Sequence, residues 1–242
     1  MKIAVISDIH GNLVSLDAVL EDIRRENVDQ IICLGDAATL GPLPSEVIAR
    51  LQEYNCRCIL GNHDEYLLQP HLIYSYTHEQ PIINAVQWCH DRLSDEEIAY
   101  LSAFPRTMEI AIDPMITLIC FHGSPKSNTD IILSTTSSQQ IDELLQPSEK
   151  HLYAGGHTHL QMLRQHKGSF LLNPGSVGLP FAEFTAKGPP RILPWAEYAL
   201  VGCTEGRVEI NLKRIPINKK KIRELLTVSD FPPGSWLLQQ YQ

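Results

Sequence analysis

The chain has 242 residues, of which 43% are hydrophobic and 20% are charged. A chain of this length can bury a sizeable core, and this composition is typical of a folded globular protein, which argues against disorder. The formal net charge of −8 disfavours an extended nucleic-acid surface or an anionic-membrane surface, since both require basic patches. It does not exclude a phosphate substrate, because bound divalent cations would reverse the sign of the local charge.

Cysteine usage and hydropathy bear on the cellular compartment. The six cysteines show no CxxC spacing, and no secretory leader is recognised, because the first apolar run is short and leads directly into Asp8. No apolar run approaches the roughly 20 residues of a membrane span. We therefore expect reduced thiols, a cytoplasmic location and no membrane contact.

The first part of the chain alternates strand and helix patterns. An apolar run ends at Ile6, and after Asn12, a favourable N-cap residue, apolar side chains recur at helical spacing. A second strand ends at Leu34, a helix begins near Ser45, and a third strand is predicted over residues 56–60. Repeated β-α-β units of this kind predict parallel pairing with right-handed crossovers.

Helix patterns without intervening strands follow, over about residues 65–106. Ser94 and Glu97 carry the signature of a capping box at the start of one of these helices. We interpret the block as a helical insertion over one edge of the strand ends. No linker separates a second domain, so we predict a single domain covering residues 1–242.

The strands predicted in the second half of the chain are residues 109–112, 115–121, 151–154, 169–172, 195–203 and 207–215. The first two and the last two of these strands form hairpins. A polar loop over residues 125–138 is long enough to be functional. Residues 219–226 predict a basic terminal helix, and the tail beyond it carries no functional signal.

Five apolar runs end at side chains that commonly bind metals. The first ends at Asp8 and His10, which point the same way because residues i and i+2 of an extended segment share a face. The later runs end at Asp36; at Asn62, His63 and Asp64; at His122; and at His157 and His159. Ligands bind at the carboxyl ends of strands in α/β proteins, so we expect these ends to converge. Carboxylate, imidazole and amide donors suit Mn, Fe, Zn, Co or Ni ions.

Each of these residues, taken alone, has an ordinary explanation. A single Asp or His at a strand end is more often a cap or a hydrogen-bonded surface group than a metal ligand. That explanation does not account for seven candidate ligands that all fall at strand ends. The glycines beside them are expected to allow tight turns.

Other side chains of these types lack the strand-end context. We expect surface or core positions for His71, His78, His90, His151 and His166. Aromatic side chains of the insertion could stack on a nucleobase, although aromatic residues on helices usually fill a core. They are Tyr66, Tyr74, Tyr76 and Trp88.

In their order along the chain, the strand-end blocks resemble the signature of the calcineurin-like metallophosphoesterases. The blocks are Asp8-x-His10, Gly35-Asp36, Gly61-Asn62-His63-Asp64, His122 and Gly156-His157-x-His159. The similarity extends from Met1 to about Gly178, and Asn173-Pro174-Gly175-Ser176 is similar to the small bacterial phosphodiesterase branch. The resemblance implies an α/β fold, the four-layer αββα metallophosphoesterase sandwich with a helical insertion.

The resemblance also implies a role for each site residue. Asp8, His10 and His159 would hold one divalent ion, Asn62, His122 and His157 would hold a second, and Asp36 would bridge the two. His63 would face the substrate as an imidazolium that stabilises charge on phosphorus or protonates the departing alkoxide. Asp64 would hold that ring in place, or it would be only a turn residue.

The implied function is hydrolysis of a phosphate ester by a hydroxide that bridges two divalent metals. A phosphodiester is favoured over a monoester, and the expected substrate is a small phosphorylated molecule such as a nucleotide. The alternatives are a phosphatase acting on phosphoproteins or dinucleoside polyphosphates, and a nonenzymatic protein-binding scaffold on the same fold. Substrate choice is expected to lie in the insertion and the 125–138 loop, while the native metal and the oligomeric state stay open.

Overall fold

The structure, a computed structural model, describes residues 1–149, 151–185 and 188–241. The strands of these residues are β1 (Lys2–Ile6), β2 (Gln30–Cys33), β3 (Arg57–Cys58), β4 (Thr107–Asp113), β5 (Ile116–Phe121), β6 (His151–Ala154), β7 (Met162–His166), β8 (Ser169–Asn173), β9 (Trp195–Thr204) and β10 (Arg207–Pro216). The helices are α1 (Leu13–Arg25), α2 (Pro44–Glu53), α3 (Asn62–Leu68), α4 (Ile73–Tyr76), α5 (Gln80–His90), α6 (Asp95–Ser102), α7 (Ser138–Leu145), α8 (Lys219–Val228) and α9 (Gly234–Gln240), with a 3-10 helix over Pro70–Leu72. Across these three ranges, no helix is long and apolar enough to cross a membrane.

In the described residues the strands form two five-stranded sheets. The first has the order β10-β9-β1-β2-β3, with β1, β2 and β3 parallel, β9 antiparallel to β1, and β10 antiparallel to β9. The second has the order β4-β5-β6-β8-β7, with β5, β6 and β8 parallel and an antiparallel strand at each edge. The parallel strands of each sheet therefore bring their carboxyl ends to a common edge.

Alternating side chains of β1 divide the core into layers. Ala4 and Ile6 face the core that the first sheet shares with α1, α2, α8 and α9, whereas Ile3 and Val5 face the core between the sheets. On the far side, α7 packs against the second sheet through Ile141. The order of layers is helices, sheet, sheet, helix, which confirms the predicted four-layer α/β sandwich.

Local sequence signals account for the helix starts. The Asn12 side chain accepts a hydrogen bond from the Ser15 backbone N–H at 3.1 Å, which confirms the predicted N-cap of α1. At the start of α6, Ser94 Oγ accepts from the Glu97 N–H at 3.2 Å and Glu97 Oε2 accepts from the Ser94 N–H at 2.8 Å. The predicted capping box is therefore confirmed as well.

Three strand and helix assignments differ from the sequence-based expectation. The third strand is shorter than residues 56–60, because the Leu60 N–H donates to the Pro105 carbonyl at 2.8 Å and not to β2. The strand β7 was not predicted, since its sequence Met-Leu-Arg-Gln-His contains no β-branched residue and gains its partner only from the antiparallel ladder with β8. The helix α9 in the tail was also not predicted.

The helices α3 to α6 occupy the predicted insertion. They have a small hydrophobic cluster of their own, formed by Tyr66, Ile73, Ile83 and Val86. Other apolar side chains of the same helices, including Leu67, join the core of the first sheet. The insertion is thus anchored to the sheet by packing, while the assignment of residues 1–242 to one domain stays a prediction.

Candidate metal centre

The side chains at the strand ends converge. Among the described residues, two clusters of potential ligands each have their ligand atoms within 4.8 Å of one another. One consists of Asp8, His10 and His159, and the other of Asp36, His122 and His157. All of these side chains are buried except His157, which is half-buried. The fold therefore assembles candidate ligands from the ends of strands in both sheets.

The first cluster turns imidazole Nε2 atoms inward. The Nε2 atoms of His10 and His159 are 3.1 Å apart, and His159 Nε2 is 3.2 Å from Asp8 Oδ1. On the other side of each ring, His159 Nδ1 lies 2.7 Å from the Leu179 carbonyl and His10 Nδ1 lies 3.3 Å from Thr39 Oγ1. An Nδ1–H donated to a carbonyl leaves Nε2 as a lone pair, which is how ligand histidines are commonly oriented.

The second cluster converges on an amide oxygen. His122 Nε2 and His157 Nδ1 each lie 3.0 Å from Asn62 Oδ1, and His122 Nε2 is 3.3 Å from Asp36 Oδ2. His122 Nδ1 lies 2.7 Å from the Leu34 carbonyl, so this ring too is oriented by its outer nitrogen. The arrangement brings one amide, two imidazoles and one carboxylate together at a single point.

Asp36 lies between the clusters. Its Oδ2 atom is 3.3 Å from His122 Nε2 in the second cluster and 3.8 Å from His10 Nε2 in the first. Its Oδ1 atom accepts a hydrogen bond from the His63 backbone N–H at 2.8 Å. One oxygen therefore fixes the loop and the other faces both clusters, which fits the bridging role implied by the resemblance.

The donors around Asp8 indicate that the residues present fit a cation. Asp8 Oδ1 is buried and makes no hydrogen bond of acceptable geometry with any described residue. Its basic neighbours are three imidazole Nε2 atoms, that of His159 at 3.2 Å and those of His10 and His122 at 4.0 Å. A carboxylate oxygen among imidazole nitrogens is a donor set that suits a divalent cation.

Five of the six residues in the two clusters have a left-handed backbone. Left-handed φ angles are found at Asp8 (54°), His10 (49°), Asp36 (57°), His157 (67°) and His159 (57°). Non-glycine residues in this region cost about 1–2 kcal/mol each, and such strain clusters at functional sites. Six described residues outside the clusters also adopt this region, so the strain accompanies most of the candidate ligands without being unique to them.

Two glycines beside the ligands are required for close approach. A Cβ atom on Gly61 would lie 2.1 Å from Asp36 Oδ1, and one on Gly156 would lie 2.1 Å from Ser7 Oγ and 2.9 Å from Asp8 Oδ2. Neither glycine has a positive φ. These two glycines therefore leave room for the carboxylates, while the tight-turn role expected for the glycines stays a prediction.

The electrostatics of the centre differ from residue to residue. Burial opposes protonation of His122, but Asp36 prevails and raises the pKa of His122 to about 9. Burial, followed by the charge of His122, lowers the pKa of His157 to about 4. Burial opposes ionisation of Asp8, yet His159 and its other basic neighbours lower the pKa of Asp8 to about 2. Asp8 is therefore ionised at neutral pH, the form that binds cations.

His63 lies beside the ligands with a free ring nitrogen. Its ring centroid is 5.3 Å from that of His10, and its buried Nδ1 makes no hydrogen bond within the described chain. Burial lowers the pKa of His63, with Asp36 opposing that effect. The neutral imidazole is therefore favoured over the imidazolium expected from the sequence, and its role toward the substrate stays a prediction.

Asp64 joins two of the strand-end loops. Its carboxylate accepts hydrogen bonds from the backbone N–H groups of Asp36 at 2.7 Å, Ala37 at 2.9 Å and Gly61 at 3.0 Å. Burial and the charge of Asp36 raise the pKa of Asp64 to about 6. These contacts match the alternative of a turn residue, since the carboxylate is occupied by backbone groups and does not orient the His63 ring.

The segment after β8 supports both clusters, which the sequence did not indicate. Ser176 Oγ donates to the Asp8 carbonyl at 2.6 Å, and the Asn173 side chain donates to the Gly156 carbonyl at 2.7 Å. Phe181 stacks on His159 with ring centroids 4.2 Å apart. The motif containing Asn173 and Ser176 was recognised only as a family resemblance, and its position next to the ligands follows from the strand order.

The histidines set aside in the sequence analysis belong to neither of the clusters found in the described residues. His166 lies 2.9 Å from an Asp142 carboxylate oxygen, and His90 Nδ1 lies 2.8 Å from the Leu67 carbonyl. All six cysteines fall within the described ranges and are free and buried. Cys120 packs in the core between the sheets.

Known proteins with similar sequences show which family the chain belongs to. Residues 1–188 match the model of the calcineurin-like phosphoesterase superfamily domain. The uncharacterized protein MJ0912 of Methanocaldococcus jannaschii is 31% identical over 193 residues, which cover 74% of this chain and 76% of that protein. The chain therefore belongs to the calcineurin-like phosphoesterase family.

Solved structures are similar over nearly the whole chain. A metallophosphoesterase from Sphaerobacter thermophilus superposes with a TM-score of 0.74 at 25% identity, covering 100% of this chain and 98% of that one. The hypothetical protein PH1004 from Pyrococcus horikoshii OT3 superposes with a TM-score of 0.81 at 21% identity, covering 98% and 97%. The metallophosphoesterase fold thus includes the C-terminal hairpin and helices of this chain.

Proposed function

We propose that the chain is a metal-dependent phosphodiesterase that acts on a small phosphorylated substrate through a dinuclear centre. The observation that supports it most directly is the position of Asp36 Oδ2, 3.3 Å from a histidine nitrogen of one cluster and 3.8 Å from a histidine nitrogen of the other. A single carboxylate oxygen facing two sets of ligands suits a pair of cations. Asp8, His10 and His159 would hold one, and Asn62, His122 and His157 the other.

The chemistry that two divalent cations supply when bound is the activation of water at neutral pH and the neutralisation of phosphoryl charge. Mn, Fe, Zn, Co and Ni all suit the donor set. The protein's part is to hold the ligands rigidly. The Leu34 and Leu179 carbonyls orient two of the imidazoles, and Asp64 ties the loops that carry Asp36 and Gly61.

His63 would contact the substrate directly. Its neutral ring carries one N–H donor and has an unpartnered Nδ1 in the described structure. In this state it can donate a hydrogen bond to an oxygen of the phosphoryl group or of the leaving alcohol. A diester needs such stabilisation because its departing alkoxide is a poor leaving group without a proton or a hydrogen bond.

The bridging role can be tested with the Asp36→Asn variant. We expect it to lose turnover of an aryl phosphodiester and to bind less metal than the unsubstituted protein. Asp142→Asn is a matched control, since that carboxylate pairs with His166 and Lys167, and it should keep both properties. Undiminished hydrolysis by Asp36→Asn would contradict the proposal.

His63→Ala separates substrate contact from metal binding. We expect turnover to fall roughly 100-fold, as for the loss of a catalytic acid–base group, with metal content unchanged. Loss of metal from this variant would instead identify His63 as a ligand.

A substrate panel distinguishes the proposed activity from its alternatives. The metal-loaded protein would be assayed with aryl diesters, aryl monoesters, cyclic nucleotides, dinucleoside polyphosphates and a phosphopeptide. We expect the highest kcat/KM with a diester. Preference for the phosphopeptide or the dinucleoside polyphosphate would favour a phosphatase, and no bound metal together with no activity after manganese addition would favour a scaffold.

A further inference from the structure

Tyr76 extends from the insertion to the metal centre. It is the last residue of α4, and 46% of its surface is exposed. Its ring centroid lies 6.2 Å from that of His63 and 6.4 Å from that of His157, with both rings inclined steeply to it. Tyr76 therefore borders the second cluster, on the side where the half-buried His157 is open to solvent.

Packing within the insertion fixes the position of Tyr76. Its ring lies 5.6 Å from the ring of Tyr66, which is 4% exposed and belongs to the hydrophobic cluster of the insertion. Ile73, at the start of the same helix, is 1% exposed in that cluster, and its carbonyl accepts the Thr77 N–H at 3.0 Å. Packing against these buried side chains thus holds Tyr76 beside the second cluster of candidate ligands.

The phenol is close enough to the candidate metal site to contact a bound phosphoryl group. Its ring adjoins both His63 and the candidate ligand His157. The phenol of tyrosine is protonated at neutral pH. A protonated phenol is a neutral hydrogen-bond donor, and donation to a charged phosphoryl oxygen is stronger than donation to a neutral acceptor.

We propose that Tyr76 contacts the substrate and that its hydroxyl donates a hydrogen bond to a non-bridging oxygen of the phosphoryl group. This inference rests on the proposed phosphodiesterase function and adds a substrate-binding residue supplied by the insertion. Together, His63 and Tyr76 would place two donors on the same side of the phosphoryl group. The insertion then takes part in binding the reacting group itself.

The hydroxyl can be tested separately from the ring. The Tyr76→Phe variant keeps the aromatic surface and removes only the donor. With the full metal-loaded chain and an aryl phosphodiester, we expect kcat/KM to fall roughly 10- to 100-fold, the effect of losing one hydrogen bond to a charged group. Inorganic phosphate, titrated by calorimetry, should bind roughly 10-fold more weakly for the same reason. Metal content should be unchanged.

Tyr74→Phe is the matched control, because Tyr74 lies on the same short helix and is 58% exposed. It should match the unsubstituted protein in both measurements. Unchanged kcat/KM and phosphate affinity in Tyr76→Phe would overturn the proposal, and impairment only in Tyr76→Ala would assign the ring to stacking on an aromatic leaving group. If the unsubstituted protein hydrolyses no phosphodiester, the proposed function fails, while phosphate binding still tests the contact of Tyr76.

Discussion

The Nε2 atoms of His10 and His159 face each other at 3.1 Å inside the protein, although the two residues are 149 positions apart in the chain. Two imidazole nitrogens at this distance repel unless a proton or a cation lies between them. Because His159 uses Nδ1 toward the Leu179 carbonyl, its Nε2 is directed inward as a lone pair. The pair therefore has the form of one half of a metal site.

His159→Ala should remove one cation and leave the other. His159 belongs to the first cluster, whereas the second cluster keeps Asp36, His122 and His157. We expect metal bound per chain, measured by elemental analysis after dialysis, to fall to about half that of the unsubstituted protein when both sites are filled at the start. His166→Ala serves as the control, and full metal retention by His159→Ala would exclude it as a ligand.

Gly156→Ala should damage the centre without removing a ligand. The added Cβ would lie 2.1 Å from Ser7 Oγ and 2.9 Å from Asp8 Oδ2, so the loop or the carboxylate must shift. We expect unfolding in urea to show a loss of about 1–3 kcal/mol, typical of overpacking, together with reduced metal content. Gly202→Ala is the matched control, since its nearest neighbour, Glu209 Cβ, would be 4.0 Å away. Equal behaviour of the two variants would refute this account.

Asp64→Asn should lower stability even in the absence of metal. The carboxylate accepts three buried backbone N–H groups, and an amide offers one oxygen in place of two. At least one donor would lose its acceptor, at a cost of about 1–3 kcal/mol. The free energy of unfolding would be measured in urea with EDTA present. The exposed Asp95→Asn should change it by less than about 0.5 kcal/mol, and a similarly small change for Asp64→Asn would argue against its structural role.

Glu26 should contribute stability that depends on pH. Its carboxylate accepts hydrogen bonds from Lys2 Nζ at 2.8 Å and Lys213 Nζ at 2.7 Å, and these contacts lower its pKa from 4.5 to about 2. A carboxyl whose pKa is lower in the folded state than in the unfolded state stabilises the protein. This contribution is fully present above the unfolded-state pKa and is lost as the pH falls through the folded-state pKa. The difference in unfolding free energy between the unsubstituted protein and Glu26→Gln should therefore be full above pH 4.5 and shrink toward pH 2.

Glu21→Gln provides the comparison for that measurement. Glu21 pairs with Arg24 and Arg25 on the exposed side of α1, with 53% of its side chain exposed. Exposed pairs of this kind contribute little, so we expect a small difference at every pH. A Glu26→Gln difference that stays constant from pH 6 to pH 3 would show that the lysine contacts do not act on this carboxyl.

The strand ends of the centre could be predicted because their chemistry is local. An apolar run followed by an acid, amide or imidazole marks the end of a buried strand, and parallel strands bring such ends together. Asp8, Asp36 and His122 follow this rule, and all three lie in or between the clusters. The strand pairing that brings β9 next to β1 could not be predicted in this way, since no local pattern specifies a partner about 200 positions away.

The supporting groups could not be predicted for the same physical reason. Tyr76 borders the centre only because the insertion packs around Tyr66 and Ile73, and the spacing of aromatic residues does not specify that packing. Asp64 follows His63 in the chain, which suggested a partnership between their side chains. In a helix, however, adjacent side chains point about 100° apart, and the carboxylate instead reaches the backbone of Asp36.

Because Ser176 and Leu179 hold parts of the centre in place, a nascent chain can complete its candidate metal site only after both residues have been synthesised. During translation Asp8 and His10 leave the ribosome first, but the carbonyl that orients His159 belongs to Leu179, and the strand that flanks β1 begins only at Trp195. Until those residues emerge, the early ligands are exposed donors without fixed geometry. The proposed cation site therefore reaches its native geometry only late in synthesis, after the chain has been extended beyond Leu179.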